Sequence, residues 1–383
     1  MKLFQSFLVL LLLAAQAAGA SAREREFRVR VLSKYHFKTV EVRGAGLMAL
    51  GPDQAIPLDA SEGQKVSLAA HENQVELGGR VFARIRLRSS AGPLEISGGG
   101  LQRRFSGSLF VEARRGELAF VEQVSLEAYV REVLAAELPE DFSAEAQKAQ
   151  AVLIRSFALS HRGRHAEEGY DFCDLTHCQV YGGLGPASAL REEAVRATRG
   201  LILSYQGRPI EGLFHSTCGG HTSANQRVFG GKPLPYLQGV SDGDYCAVSP
   251  HYRWSARLPL REISAILAED PRWTGSIPLR GLALGEREPQ GRVFNLSLEG
   301  PRRASIETMD FLSELGRKIG WNQLKSNWFE LSVKDGIAEF EGRGLGHGVG
   351  MCQWGARGMA ERGKRFDEIL RHYFPGTKLS HLH

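Results

Sequence analysis

Three groups of residues have types and spacings that could do chemistry: one carboxylate, one run of cysteines and histidines, and one comb of glycines. The carboxylate is Glu137. Upstream of it, Leu126, Tyr129, Val130, Val133 and Leu134 fall at i, i+3, i+4, i+7 and i+8, which predicts a helix with one buried face. Pro139 disfavours helical geometry at Leu138, so the helix stops near Glu137. A carboxylate at that position sits by unpaired carbonyls and the negative end of the helix dipole, and both raise its pKa. A raised pKa is what a general acid needs near neutral pH. The competing reading is a solvated glutamate at a helix end.

The cysteines read differently according to compartment. Lys2 precedes the apolar run Phe7 to Ala15, and Ala20-Ser21-Ala22 fits a small-x-small cleavage pattern, so residues 1–22 read as a signal peptide. The apolar run is too short for a comfortable membrane span, and no later segment reads as transmembrane. An exported chain with Cys173, Cys178, Cys218, Cys246 and Cys352 would by default form two disulfides and keep one free thiol. The stretch from His165 through Cys173 and His177 to Cys178 points elsewhere, because two thiolates and a histidine on a short loop are typical zinc ligands. A Cys173–Cys178 disulfide or free thiols there stay open. Cys218 and Cys246 each border a Gly- or Asp-rich turn, which suits a disulfide between them. His215 and His221 flank Cys218, either lining a cleft or packing structurally.

Glycines at 342, 344, 346, 348 and 350 keep a stretch of backbone bare, which would let a bulky ligand approach closely. The spacing does not match G-x-G-x-x-G, since the sixth position from Gly342 or Gly344 is His347 or Val349, so a dinucleotide site is rejected. His347, Gln353 and Trp354 would supply a hydrogen-bonding and stacking wall for a sugar. The alternative is a tight structural turn with a packed tryptophan.

These groups need a scaffold, and the chain of 383 residues is long enough for two or three packed units. At 43% hydrophobic and 24% charged, with a net charge of +5, it is ordinary globular material. Clusters such as Arg103-Arg104 and Arg302-Arg303 read as solvated strand ends; no basic helix with interleaved aromatics is present, so no nucleic-acid partner is expected. The expected fold class is α+β. Residues 23–122 form a β-rich N-terminal domain, because alternating runs such as Phe27 to Leu32 and Val81 to Leu87 are separated by Gly and Pro clusters. Residues 123–255 form a helical core carrying Glu137 and the Cys/His region, with Ser143 as N-cap of its second helix and Glu145 in the first turn. Residues 256–383 form a C-terminal α+β part, with a short helix at Leu260 to Ala268 and strands around 293–299 and 327–340. Phe366, Ile369, Leu370, Tyr373 and Phe374 make a last apolar stripe before Pro375-Gly376.

Three separated motifs carry a resemblance. The first runs from Val124 through Ala136-Glu137-Leu138-Pro139 into Ala146-Gln-Lys-Ala-Gln-Ala-Val-Leu-Ile-Arg-Ser-Phe-Ala. The second is Phe214-His-Ser-Thr-Cys-Gly-Gly-His-Thr, followed by Pro235-Tyr-Leu. The third is Gly344-Leu-Gly-His-Gly-Val-Gly-Met-Cys-Gln-Trp-Gly-Ala, with Ile369-Leu-Arg-His-Tyr-Phe-Pro-Gly-Thr after it. In this order the chain resembles the SpoIID/LytB family of exported bacterial peptidoglycan proteins, over roughly residues 100 to 378. It departs from the usual form at Leu138, Phe157 and Cys352, where methionine, tyrosine and serine are common.

The resemblance implies a mixed α/β catalytic body with a substrate groove, and cleavage of glycan strands by lytic transglycosylation with Glu137 as acid/base. It implies peptidoglycan strands as partner, and a place in the periplasm or cell envelope. One carboxylate suffices for this reaction, whereas a hydrolase usually needs two. No second carboxylate of comparable placement is evident, although Glu132 and Glu140 are near in sequence. Polar side chains inside the motifs, Lys148, Gln150, Arg155, His215, Ser216, His347, Gln353 and Trp354, are the expected substrate-binding set. Some relatives carry a zinc on one histidine and two cysteines; carried over, the ligands would be His165, Cys173 and Cys178, with His177 as a substitute and the metal structural. The LytB side of the family implies an alternative, a non-catalytic wall protein that enhances an N-acetylmuramoyl-L-alanine amidase. A zinc amidase or peptidase is a weaker third reading, since the sequence lacks H-E-x-x-H.

Overall fold

The computed structural model describes residues 25–50, 55–58 and 65–382; the segment read as a signal peptide lies outside them. The described residues form an α+β protein with eight helices. Packing divides the chain into two compact units. One holds the described residues up to Val133 together with Arg162–Gly185, and the other holds Leu134–His161 with Pro186 onward.

The first unit is built on two sheets, antiparallel except for one short strand at the edge of the larger. In the larger, the strand Glu26–Val31 pairs with Glu117–Ser125, which pairs with Ser108–Arg114 and then Arg84–Arg88. The alternation read from the sequence sets the faces: Phe27, Val29 and Val31 are buried while Glu26 and Arg28 are exposed. The second sheet runs from Leu101–Phe105 through Ala91–Gly98, Thr39–Ala45, Val66–His71 and Gln74–Leu77 to Arg80–Phe82. The late segment 162–185 returns to this unit as a short strand, Phe172–Cys173, pairing in parallel with Val29 and Arg30. Asp171 locks the return by accepting the Arg28 and Gly163 amides at 2.8 and 3.0 Å.

Helix α1 (Leu126–Glu137) follows the last strand directly. Leu126, Tyr129, Val130, Val133 and Leu134 are all buried, as the spacing requires. Its last backbone bond is Leu138 N–H to the Leu134 carbonyl at 3.1 Å, where Pro139 ends it. Helix α2 (Ala144–Ser160) is the centre of the second unit, buried at nearly every position from Ala146 to Ala158. Gly212 approaches it closely: the Leu153 carbonyl lies 2.5 Å from where a Cβ on Gly212 would stand. Ser143 takes the N-cap position, but its hydroxyl makes no capping bond and is buried without a partner among the described residues, contrary to the capping expected of it. Glu145 instead ties the helix to the chain end, accepting the Phe366 amide at 2.7 Å.

Around α2 stand α3 (Ala189–Ala197) and a sheet of Arg208–Pro209, Leu201–Tyr205 and Lys378–His381; the short α4 (Asn225–Phe229) follows later in the chain. Two three-stranded sheets, α5 (Leu260–Leu267) and α6 (Thr308–Ile319) share one apolar core around Phe311, Phe329 and Phe340. Helix α7 (Gln353–Glu361) and helix α8 (Phe366–Tyr373) pack on α2, with Ile369, Leu370 and Tyr373 inward. No described helix is long and apolar enough to cross a membrane.

Candidate functional site

The second and third motifs are one construction. Phe214–His215 and Met351–Cys352 form a two-stranded parallel pair, and Thr217 and Leu345 exchange both backbone bonds, at 3.1 and 2.8 Å. The glycine comb exists for this contact. Gly344, Gly346, Gly348 and Gly350 all have positive φ, between +76° and +99°. A Cβ at these positions would meet the Thr217 carbonyl at 2.5 Å, His215 Cβ at 3.1 Å, the Arg292 guanidinium carbon at 2.2 Å and the Leu213 carbonyl at 2.1 Å. What the bare backbone admits is therefore the chain itself.

The two histidines of these motifs are fixed by that pairing. His347 donates from Nε2 to the Phe214 carbonyl at 2.9 Å and accepts the Val349 amide at Nδ1 at 3.1 Å, so both ring nitrogens are used within the turn. Burial pushes its pKa down to about 4 and keeps the ring neutral. His215, buried beside it at a ring separation of 5.5 Å, bonds the Val349 carbonyl through Nδ1, and its Nε2 is buried without a partner among the described residues. Burial and the neighbouring His347 hold its pKa well below the ordinary histidine value. Ser216 accepts the Trp354 amide on its carbonyl at 3.0 Å.

The first motif reaches the same place. Gln353, first residue of α7, donates to the Glu137 carbonyl at 3.5 Å. Trp354 meets Phe142 edge-on at 5.3 Å, and Arg357 lies over both rings while pairing with Asp141. Glu137 is half-buried at the last position of α1, and its backbone carbonyl is the point at which the third motif touches the first. The α2 residues are placed otherwise. Lys148 is paired with Glu145 at 2.7 Å; Arg155 is fully buried and donates to the Leu201 carbonyl at 2.8 Å; Gln150 is fully buried, and its amide has no partner among the described residues.

The nearby carboxylates divide cleanly. Glu140 is exposed. Glu132 is buried in the first unit, where the Tyr181 hydroxyl bridges it and Glu122, and Ser106 donates to Glu132 at 2.5 Å. Burial, reinforced by Glu132, pushes Glu122 up to about 8, so the pair shares protons at neutral pH. Sequence reading did not find this pair, because Glu122 looks like one polar residue in an alternating strand.

In the first unit His165, Cys173, His177 and Cys178 bring their ligand atoms within 4.8 Å of one another. His165 Nε2 lies 3.4 Å from Cys178 Sγ, while its Nδ1 is bonded to Glu168 at 2.6 Å. That carboxylate fixes the tautomer which leaves Nε2 as a lone pair facing the sulfurs, the usual arrangement behind a metal-bound histidine. His177 is poorer: its Nε2 accepts from Arg164 at 3.3 Å, which puts the proton on Nδ1, the nitrogen facing both sulfurs at 3.8 Å. Hydrogen bonding from Cys178 pulls the Cys173 thiol down to about 4, assisted by the Leu175 amide and His177. This group could hold a metal ion. In the second unit Cys218, Cys246, Cys352 and Asp242, all buried, make a second group of the same compactness, and all five cysteines are free thiols.

An α+β chain whose three motifs meet at the end of α1 defines a class, and comparison with known proteins gives it a family. The model of the Stage II sporulation protein family, SpoIID, matches residues 114–205. An uncharacterised protein of Brachyspira hyodysenteriae is 32% identical over 277 residues, covering 72% of this chain and 72% of that protein. Stage II sporulation protein D of Bacillus subtilis is 32% identical over 275 residues, covering 68% of this chain and 76% of that protein. The amidase enhancer of the same species is 28% identical over 291 residues, covering 65% of this chain but 40% of the longer relative. The chain belongs to the SpoIID family.

Proposed function

We propose that the protein is an exported lytic transglycosylase that cleaves peptidoglycan glycan strands with Glu137 as its one acid/base. The observation carrying this reading is the hydrogen bond from Gln353 of the third motif to the Glu137 carbonyl of the first, with Glu132 engaged elsewhere and Glu140 exposed. In the reaction the protonated Glu137 gives its proton to the glycosidic oxygen as the bond to the N-acetylmuramic acid anomeric carbon breaks. The sugar's own 6-hydroxyl attacks that carbon, and its proton returns to the carboxylate. One C–O bond forms, one breaks, no water is consumed, and Glu137 ends as it began. The Trp354 ring offers an apolar face for a sugar, and Gln353 joins the Glu137 backbone to the start of α7.

His165, Cys173 and Cys178 would hold a zinc ion, and the Glu168 carboxylate behind His165 supports that choice. When bound, the ion would brace the loop between α2 and Cys178, while proton transfer stays with Glu137.

A second reading rests on the similarity to an amidase enhancer: the same surface would bind glycan without cleaving it and raise the turnover of a cell-wall amidase. Purified protein and glycan strands separate the two. Cleavage by the protein alone, lost in Glu137→Gln, is the expected result; an inert protein that accelerates an amidase would establish the second reading.

A further inference from the structure

The second cysteine cluster bears on neither the acid/base nor the first ligand group. Its four members come from three places in the chain: Cys218 just beyond the strand Phe214–His215, Asp242 and Cys246 around a single helical turn at Tyr245–Val248, and Cys352 at the N-cap of α7. All four are buried, and their sulfur and carboxylate atoms lie within 4.8 Å of one another.

The backbone around them is arranged for thiolates. Cys352 Sγ accepts amides from Cys218 and Gly355, both at 3.2 Å, and Cys218 Sγ accepts the Gly220 amide at 3.3 Å. Such bonds disperse negative charge on sulfur, and the N-terminus of α7 adds its dipole at Cys352. Asp242 is oriented from both sides, accepting the Cys246 amide at 2.9 Å on one oxygen and the Tyr373 hydroxyl on the other. Cys218 and Cys246 sulfurs stand 3.6 Å apart. Zinc–sulfur bonds of about 2.3 Å give a tetrahedral sulfur–sulfur edge of about 3.8 Å.

The second, independent observation is Arg292. Its guanidinium is 1% exposed and makes no ion pair among the described residues; it donates to the Cys218 carbonyl at 2.8 Å, the His221 carbonyl at 3.4 Å and Asn327 Oδ1 at 2.7 Å. Burial lowers its pKa from the ordinary arginine value, and Cys218, Glu288, Cys352 and Cys246 are the groups that oppose this. A buried cation needs a buried anion. A Cys218–Cys246 disulfide would leave the two sulfurs neutral, whereas three thiolates and a carboxylate around a divalent ion carry two net negative charges.

We propose that Cys218, Cys246, Cys352 and Asp242 form a closed structural site for a single zinc-type divalent cation, with Arg292 as its buried counter-charge. Soft thiolates select zinc over hard cations, and four protein ligands without solvent access leave no open position for chemistry. Binding releases the cysteine protons to solvent and joins the second motif, the Asp242–Cys246 turn and the start of α7. The ion thereby fixes the residue, Gln353, that follows directly on a ligand.

The test uses the mature chain purified under reducing conditions with zinc supplied, in a Cys173→Ser/Cys178→Ser background that removes the first group. Metal analysis should find about one zinc per chain, falling below about one-tenth in the added Cys352→Ser variant. Cobalt(II) in place of zinc should give an intense thiolate-to-metal charge-transfer band, and this spectrum decides the matter even if Cys352→Ser does not fold. A metal-free folded chain, no charge-transfer band, or a Cys218–Cys246 disulfide found by alkylation and mass measurement would each overturn the site.

Discussion

Gly348→Ala tests the packing that joins the motifs. Gly348 has φ +77°, and a Cβ there would stand 2.2 Å from the Arg292 guanidinium carbon. Left-handed backbone costs an alanine about 1–2 kcal/mol. The collision adds about 1–3 kcal/mol, as for other overpacked sites, because Arg292 is buried and bonded at both ends of its fork. Gly207 is the control: its φ is +78°, yet nothing lies within 4 Å of its missing Cβ. Gly207→Ala therefore carries the backbone cost alone, and the difference between the variants, about 1–3 kcal/mol, belongs to the Arg292 contact. Urea unfolding followed by tryptophan fluorescence isolates the second unit, because all five tryptophans lie in it. Equal destabilisation of the two variants would refute the packing described for the glycine comb.

Other outcomes follow from the two ligand groups and the buried carboxylates. His165→Ala should abolish zinc binding at the first group while His177→Ala largely retains it, read by metal content in a Cys352→Ser background; the reverse order would defeat the tautomer assignment. Glu122 has its pKa raised by burial and by Glu132, from 4.5 to about 8, so the folded state keeps a proton that the unfolded chain releases. Stability of the first unit should then fall as pH rises between those values, by up to about 1.4 kcal/mol per pH unit. Hydrogen exchange along Glu117–Ser125 should show this slope, and Glu122→Gln, which stays neutral, should flatten it; an unchanged slope would exclude Glu122 as its source.

Much of the scaffold was legible because its signals are local. The period of Leu126 to Leu134 and the alternation at Phe27, Val29 and Val31 are set by burial on one face, which a sequence displays directly. Helix α6 lies between the two expected strands and was not expected itself, although Phe311, Leu312, Leu315 and Ile319 fall on one side. The return of residues 162–185 to the first unit rests on Asp171 bonding the Arg28 amide, a contact 143 residues apart with no local trace. The glycine comb was recognised as a place of close approach, but its partner turned out to be the segment from Leu213 to Thr217 and the lone Arg292. Likewise the sequence offers no partner for Cys352, since only the pairing of Phe214–His215 with Met351–Cys352 brings it to Cys218.

The measurement bearing most directly on Glu137 is mass spectrometry of purified glycan strands, stripped of stem peptides, after incubation with the wild-type chain and with Glu137→Gln. Anhydro-muramyl ends from the wild type, and intact strands with the variant, are the predicted result. Reducing ends carrying an added water, or undiminished cleavage by Glu137→Gln, would contradict it.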